Sequence, residues 1–168
     1  AREHASRILG MRIKGLEVQK VLVTAAEDIE SEAYLAVLVD RKSQAPLFIA
    51  SPRGGIDIEE VASTSPDAVR RMRVDPRYGL LPHQAYSLAD FLYSDAALAT
   101  QASGIITHLY QVFVENACSL AEINPLIVSP DRVVKAIDAK VSIDDSGLRR
   151  LPEIEALRDM SAEPEAET

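Results

Sequence analysis

Two polar residues stand two apart inside an apolar run, Glu122 and Asn124 in "SLAEINPLIV" (Ser119 to Val128). Side chains alternate sides along a strand, so a strand over this run puts the carboxylate and the carboxamide on one face. Burying either without a partner costs on the order of a few kcal/mol, so each needs protein, metal or ligand to face it. A second segment, "RVVKAIDAKVSI", follows the turn "SPDR". If the two pair as an antiparallel hairpin centred on Asp131, Asn124 lies opposite Asp138 and Glu122 opposite Lys140, with all four on one side. Oxygen donors on a rigid hairpin suit a hard cation such as Mg²⁺, which takes one or two protein oxygens and fills its shell with water and phosphate. The competing account is a salt bridge between Lys140 and one carboxylate, with Asn124 bonded to backbone. Spacing alone leaves both open.

Other chemistries find less support. The three histidines, His4, His83 and His108, and the lone Cys118 are scattered. They have neither zinc-site spacing nor a triad partner. A single thiol in an apolar run reads as a small buried hydrophobe. "SPRGG" followed by "IDIEEVASTSP" is a glycine turn before a short helix, with Asp57 as a cap and a stop before Pro66. Such a turn can lend amides to an anion, but it lacks the Gly-Lys-Ser/Thr ending of a Walker A loop.

The elements that must position these residues belong to one globular domain, or to one and a part. The 168 residues are enough to bury a core, and 47% apolar with 26% charged is the balance of a globular domain. A net charge of −8 argues against a nucleic-acid surface. No apolar run is long enough to span a bilayer and "AREHASRILG" lacks a secretory apolar core, so an intracellular protein with no membrane partner is expected. The patterns predict a helix over Ala1 to Leu9, closing at Gly10. Strands are predicted over Lys20 to Ala25, Glu32 to Asp40 and Pro46 to Ser51, the last two as a hairpin. "VRRMRV" (Val69 to Val74) reads as a half-buried strand whose arginines either discourage edge pairing or serve to bind an anion. Helices follow over about 83–93 and 97–116, the second with Ile105, Leu109, Val112 and Phe113 as its core stripe. "RRLPEIEALRDM" reads as a final short helix.

"GGIDIEEVA", "VDP" with "GLLPHQ", "EINPLIV", "DAK" and "LRDMS" occur in an order that resembles the β subunits of succinyl-CoA synthetase, which are ATP-grasp enzymes. The most specific part is "EINPL" with an Asp fourteen residues after its Asn. The resemblance implies an α+β fold, the C-terminal subdomain of the ATP-grasp fold, mostly antiparallel sheet with packed helices. It implies that residues 1–160 form a partial ATP-grasp domain, this subdomain with part of the first, and that 161–168 is an acidic linker or tail. It assigns Asn124 and Asp138 to Mg²⁺, and Glu122 to phosphoryl transfer with a histidine on a partner α subunit. Glu32, and more weakly Glu27, become nucleotide contacts. At the hinge position, where relatives carry a glutamate that contacts the nucleotide, this chain has Thr24. A threonine cannot supply that carboxylate, so the choice between ATP and GTP stays open. The implied reaction joins CoA to succinate, or to malate or another dicarboxylate, through domains outside this chain. Without them the chain is expected to have no turnover. The other class of reading is a non-catalytic ATP-grasp module kept for assembly. A bacterial cytoplasm or a mitochondrial matrix would suit such a ligase.

Overall fold

The computed structural model describes residues 1–13 and 15–158. The expected tail at 161–168 and most of "LRDMS" lie outside the described residues. The chain divides into two compact units, one holding residues 1–27 with 157–158, the other residues 28–156.

In the first unit, α1 (Arg2–Ile8) ends before Gly10 as predicted, and Gly10 has φ +79°. A two-residue hairpin follows, β1 (Arg12–Ile13) with β2 (Leu16–Glu17), turning at Gly15 with φ +87°. The strand predicted over Lys20 to Ala25 does not form: these residues take no regular structure, and Leu22 is 91% exposed. The apolar composition suits a strand, but a strand exists only as part of a hydrogen-bonded ladder, and this segment pairs with no strand among the described residues.

The second unit contains, in order, β3 (Ser31–Asp40), β4 (Ala45–Ser51), α2 (Ile58–Thr64), β5 (Arg70–Arg73), α3 (Pro82–Leu92), α4 (Ala96–Glu115), β6 (Cys118–Val128), β7 (Val134–Ala136), β8 (Ala139–Ile143), α5 (Asp145–Leu148) and α6 (Pro152–Glu155). One antiparallel sheet runs β5-β4-β3-β6-β7, with β8 also paired to β6. The predicted hairpin of β3 and β4 is present, and Asp57 caps α2 by accepting the Glu59 N–H at 2.8 Å. The arginine-rich β5 is the sheet's edge, and its Arg70, Arg71 and Arg73 are exposed, as a strand that must resist further pairing requires.

One sheet face is closed by α3 and α4. Ala33, Leu35 and Val37 of β3, Phe48 and Ala50 of β4, and Ala121 and Ile123 of β6 pack there against Leu88, Ala102, Ile106, Leu109 and Phe113. Two of these helix positions, Leu109 and Phe113, are in the predicted stripe. Val112 is not in the core, being 41% exposed, and Ile106 is buried in its place with Ile105 packed at the margin. The stripe turns because 3.6 residues per turn carries the buried line through 98, 102, 106, 109 and 113. Cys118 is buried, and burial pushes its thiol up, away from the thiolate form.

The segment predicted as one strand after "SPDR" is split, with β7 and β8 separated at Ile137 and Asp138. The cause lies across the ladder. Ala33 pairs with Leu126 while Leu35 pairs with Ile123, so Asn124 and Pro125, joined by a cis peptide bond, together face the single residue Tyr34. This bulge gives β6 one extra residue and interrupts the partner strand beside it. The turn itself is anchored to α4: Gln101 accepts the Val134 N–H at 3.1 Å and donates to the Arg132 carbonyl at 3.0 Å.

Candidate functional site

On both sides of the bulge the hairpin keeps the register centred on Asp131. Glu122 pairs with Lys140, Ile123 with Ala139 and Leu126 with Ala136. Between them the Asn124 N–H donates to the Asp138 carbonyl at 3.3 Å, so the two proposed metal positions face each other across the ladder.

The bulge decides where their side chains go. Up to Ile123, β6 alternates between the helix-covered core and the open face, with Glu122 on the open face. Past the extra residue, Leu126 and Val128 return to the core. Asn124 is thus left on the open side, where the β4–α2 loop meets it. Its Oδ1 accepts the Gly55 N–H at 2.8 Å and its Nδ2 donates to the Ile56 carbonyl at 3.2 Å. The Gly55 amide, which a glycine turn can lend to an anion, is instead used here to orient Asn124.

Half of the competing account is present: Asn124 is bonded to backbone. The other half is absent, since among the described residues no ion pair joins Lys140 to a carboxylate. The four polar groups expected on one side of the hairpin differ in burial. Glu122 and Asn124 are half-buried, whereas Asp138 and Lys140 are exposed, because the helices cover the other face of the sheet.

Glu122 is held by a residue that the sequence reading passed over. The Tyr34 hydroxyl donates to Glu122 Oε2 at 2.9 Å, and Tyr34 is 3% exposed. Burial, and then the Glu122 carboxylate, push the Tyr34 phenol well above its ordinary range, so it remains a donor. A tyrosine inside a buried apolar strand was itself a signal, because its hydroxyl must find a partner. Glu122 and Tyr34 line an open-face cleft of about 370 Å³ with Leu38, Ile49, Ile58 and Arg71.

Glu32 reaches the same loop from β3. Its carbonyl accepts the Gly54 N–H at 3.0 Å, and its carboxylate lies over the Cα of Gly55, whose φ is +69°. Glu32, Asn124 and Glu122 are thus gathered on one face of the second unit, with Asp138 in register beside them. Thr24 and Glu27 belong to the first unit, where both are exposed and Thr24 lines a shallow cavity with Val21, Leu22 and His4.

Gly54 packs its Cα directly on the β3 backbone at Ala33, and a Cβ there would overlap the Ala33 carbonyl. Gly54→Ala is expected to cost about 1–3 kcal/mol, since overpacking against fixed backbone must displace the loop. Gly104, exposed in the interior of α4 with open space around it, is the control, and Gly104→Ala should be neutral or stabilise by about 0.5–1 kcal/mol. Urea unfolding of both variants checks this, and equal losses at the two positions would contradict it.

The donor set also suits magnesium. Asn124 Oδ1 retains a lone pair beyond the Gly55 bond, and Asp138 is engaged through Oδ1 by the Ala139 N–H at 2.9 Å, which leaves Oδ2. Among the described residues no three His, Cys, Asp or Glu side chains converge on a point, so a metal here would depend on few protein oxygens, as Mg²⁺ does beside a phosphate ligand.

Residues 1–128 match the family described as ATP-grasp domain. The chain is 53% identical over 167 residues to the succinate–CoA ligase [ADP-forming] subunit beta of Gemmatimonas aurantiaca, covering 99% of this chain and 44% of that protein. It is 50% identical over 161 residues to the protein of the same name from Herpetosiphon aurantiacus, covering 95% of this chain and 43% of that one. The chain therefore spans less than half the length of these relatives. Among solved structures, ATP citrate lyase from Methanothrix soehngenii, in complex with citrate and coenzyme A, superposes with a TM-score of 0.67 at 17% identity, over 94% of this chain and 36% of that one, a likeness of fold. The family match runs to Val128, the last residue of the strand that carries Glu122 and Asn124. The chain belongs to the ATP-grasp family.

Proposed function

We propose that this chain is the nucleotide- and magnesium-facing part of the β subunit of an ADP-forming acid–CoA ligase acting on succinate, in which a histidine of an α subunit carries the phosphoryl group. The observation that carries the reading is the pair on β6: Glu122 oriented by Tyr34 and Asn124 oriented by Gly55 and Ile56, two residues apart on the open face, with Asp138 in register. The relatives at about half identity support the acid and the ADP-forming direction. On the same reading residues 1–160 are a partial ATP-grasp domain, the C-terminal subdomain with part of the first, in which Glu32, and more weakly Glu27, contact the nucleotide and Thr24 stands at the hinge position. No helix of the described residues is long and apolar enough to cross a membrane, and a cytoplasmic ligase of this kind needs none.

Phosphoryl transfer asks mainly for positioning and for charge compensation. Asn124 and Asp138 would hold Mg²⁺, which when bound offsets charge on the phosphate oxygens. Glu122 faces the cleft and accepts one ring N–H of the partner histidine. That bond keeps the proton on the ring nitrogen nearer Glu122 and aims the other nitrogen's lone pair at the phosphorus. The carboxylate charge also stabilises the positive charge that develops on the imidazole as it attacks. Glu32, against Gly55, joins the nucleotide contact to the loop that orients Asn124.

The test is ADP release by the polypeptide completed to the relatives' length and co-purified with its α partner, with CoA, Mg–ATP or Mg–GTP, and succinate, malate or citrate. Turnover with succinate is expected, and Asn124→Ala or Asp138→Ala should raise the Mg²⁺ requirement at least about tenfold. An unchanged Mg²⁺ requirement removes the metal assignment. Silence with every acid turns the reading to the assembly module.

A further inference from the structure

Glu122 has four carboxylate lone-pair directions and two side-chain torsions beyond χ1, so half-burial alone does not hold it in one orientation. Tyr34 is in the opposite situation. It sits at the one position of β3 that faces two residues of β6, it is 3% exposed, and its hydroxyl bonds Glu122 Oε2 at 2.9 Å. The ring is fixed by the sheet on which the bulge is built, while the hydroxyl reaches into the cleft that Glu122 lines.

We propose that Tyr34 is a positioning residue for the phosphoryl-transfer step: its hydroxyl fixes the Glu122 carboxylate so that the free oxygen faces the incoming histidine, an inference that rests on the function proposed above. Tyr34 touches neither nucleotide nor phosphate and acts only through Glu122. The bulge at Asn124–Pro125 gains a functional meaning from this. It opens the register at Tyr34, so that one strand irregularity aims Asn124 toward the glycine loop and leaves Tyr34 beside Glu122. The elevated phenol pKa keeps the hydroxyl a donor throughout the pH range in which the ligase would work.

The experiment uses Tyr34→Phe in the completed polypeptide with its α partner. Phenylalanine retains the ring and removes the hydroxyl, and a hydrogen bond to a charged group corresponds to a loss of roughly 10- to 100-fold. That loss is expected in kcat, with the KM values for ATP and CoA within about twofold, because a positioning bond acts on the step and not on substrate binding. In a Glu122→Gln background, Tyr34→Phe should cost less than about threefold further, since residues that act as one unit are not additive. Thermal unfolding of each variant accompanies the kinetics. Unchanged turnover in Tyr34→Phe, equal losses in kcat and affinity for ATP, or full additivity with Glu122→Gln would each overturn the proposal while leaving the ligase reading in place. A wild-type complex that forms no phosphohistidine overturns both.

Discussion

Glu122→Gln, in the completed polypeptide with its α partner, is expected to lower turnover by about 10²- to 10⁴-fold, the range for a single positioned group that manages a proton in the transition state. The substitution is nearly isosteric. The amide oxygen of glutamine can still accept the Tyr34 hydroxyl that Glu122 Oε2 accepts at 2.9 Å, so the local packing on the open face has no reason to change. What disappears is the negative charge, and with it the ability to stabilise a histidine ring that gains positive charge as it attacks phosphorus. ATP binding should be little affected, because Glu32 and the glycine loop are untouched. The measurement is single-turnover formation of labelled phosphohistidine from γ-labelled ATP, set against equilibrium nucleotide binding. Wild-type rates of labelling would remove Glu122 from the chemistry, whatever the steady-state rate did.

Phe48→Ala should destabilise the chain by about 3–5 kcal/mol, the cost of emptying a buried aromatic site that cannot collapse. Phe48 is fully buried on β4, between β3 and the edge strand β5. It pairs with Val37 of β3 on one side and Met72 of β5 on the other, and its ring lies 6.2 Å from that of Tyr110 at an interplanar angle of 33°. Both neighbouring strands are hydrogen-bonded into the ladder, so they cannot move inward to fill the void. Urea unfolding followed by circular dichroism reads the change. A loss under about 1 kcal/mol would mean that the face between the sheet and α3 and α4 is plastic, and that β3 and β4 are not a rigid support for Tyr34 and Glu32.

Several features could be read directly from residue types and spacing because they depend on near neighbours. The Glu122 and Asn124 pairing with Lys140 and Asp138 was legible because a hairpin's register follows from its turn, and the turn at Ser129–Arg132 is local. The α2 cap, the presence of helices at α3 and α4 and the arginine edge of β5 were legible for the same reason. The roles proposed for those positions come from the resemblance to family motifs, which no spacing rule contains.

Tertiary structure decided what local pattern could not. The apolar segment at Lys20 to Ala25 has strand composition and no strand, because pairing is a property of two segments. The extra residue at Asn124–Pro125 appears only when β6 is laid against β3, and it splits the following strand, turns Asn124 to the glycine loop and leaves Tyr34 against Glu122. The exposure of Asp138 and Lys140 likewise depends on which face the helices cover. By itself the sequence determined the residues available for chemistry and their order along one hairpin. Only the packing of distant segments determined which of them are buried, which are oriented by partners more than sixty residues away, and which remain open to a ligand, because burial and hydrogen bonding are settled between segments that the chain brings together only on folding.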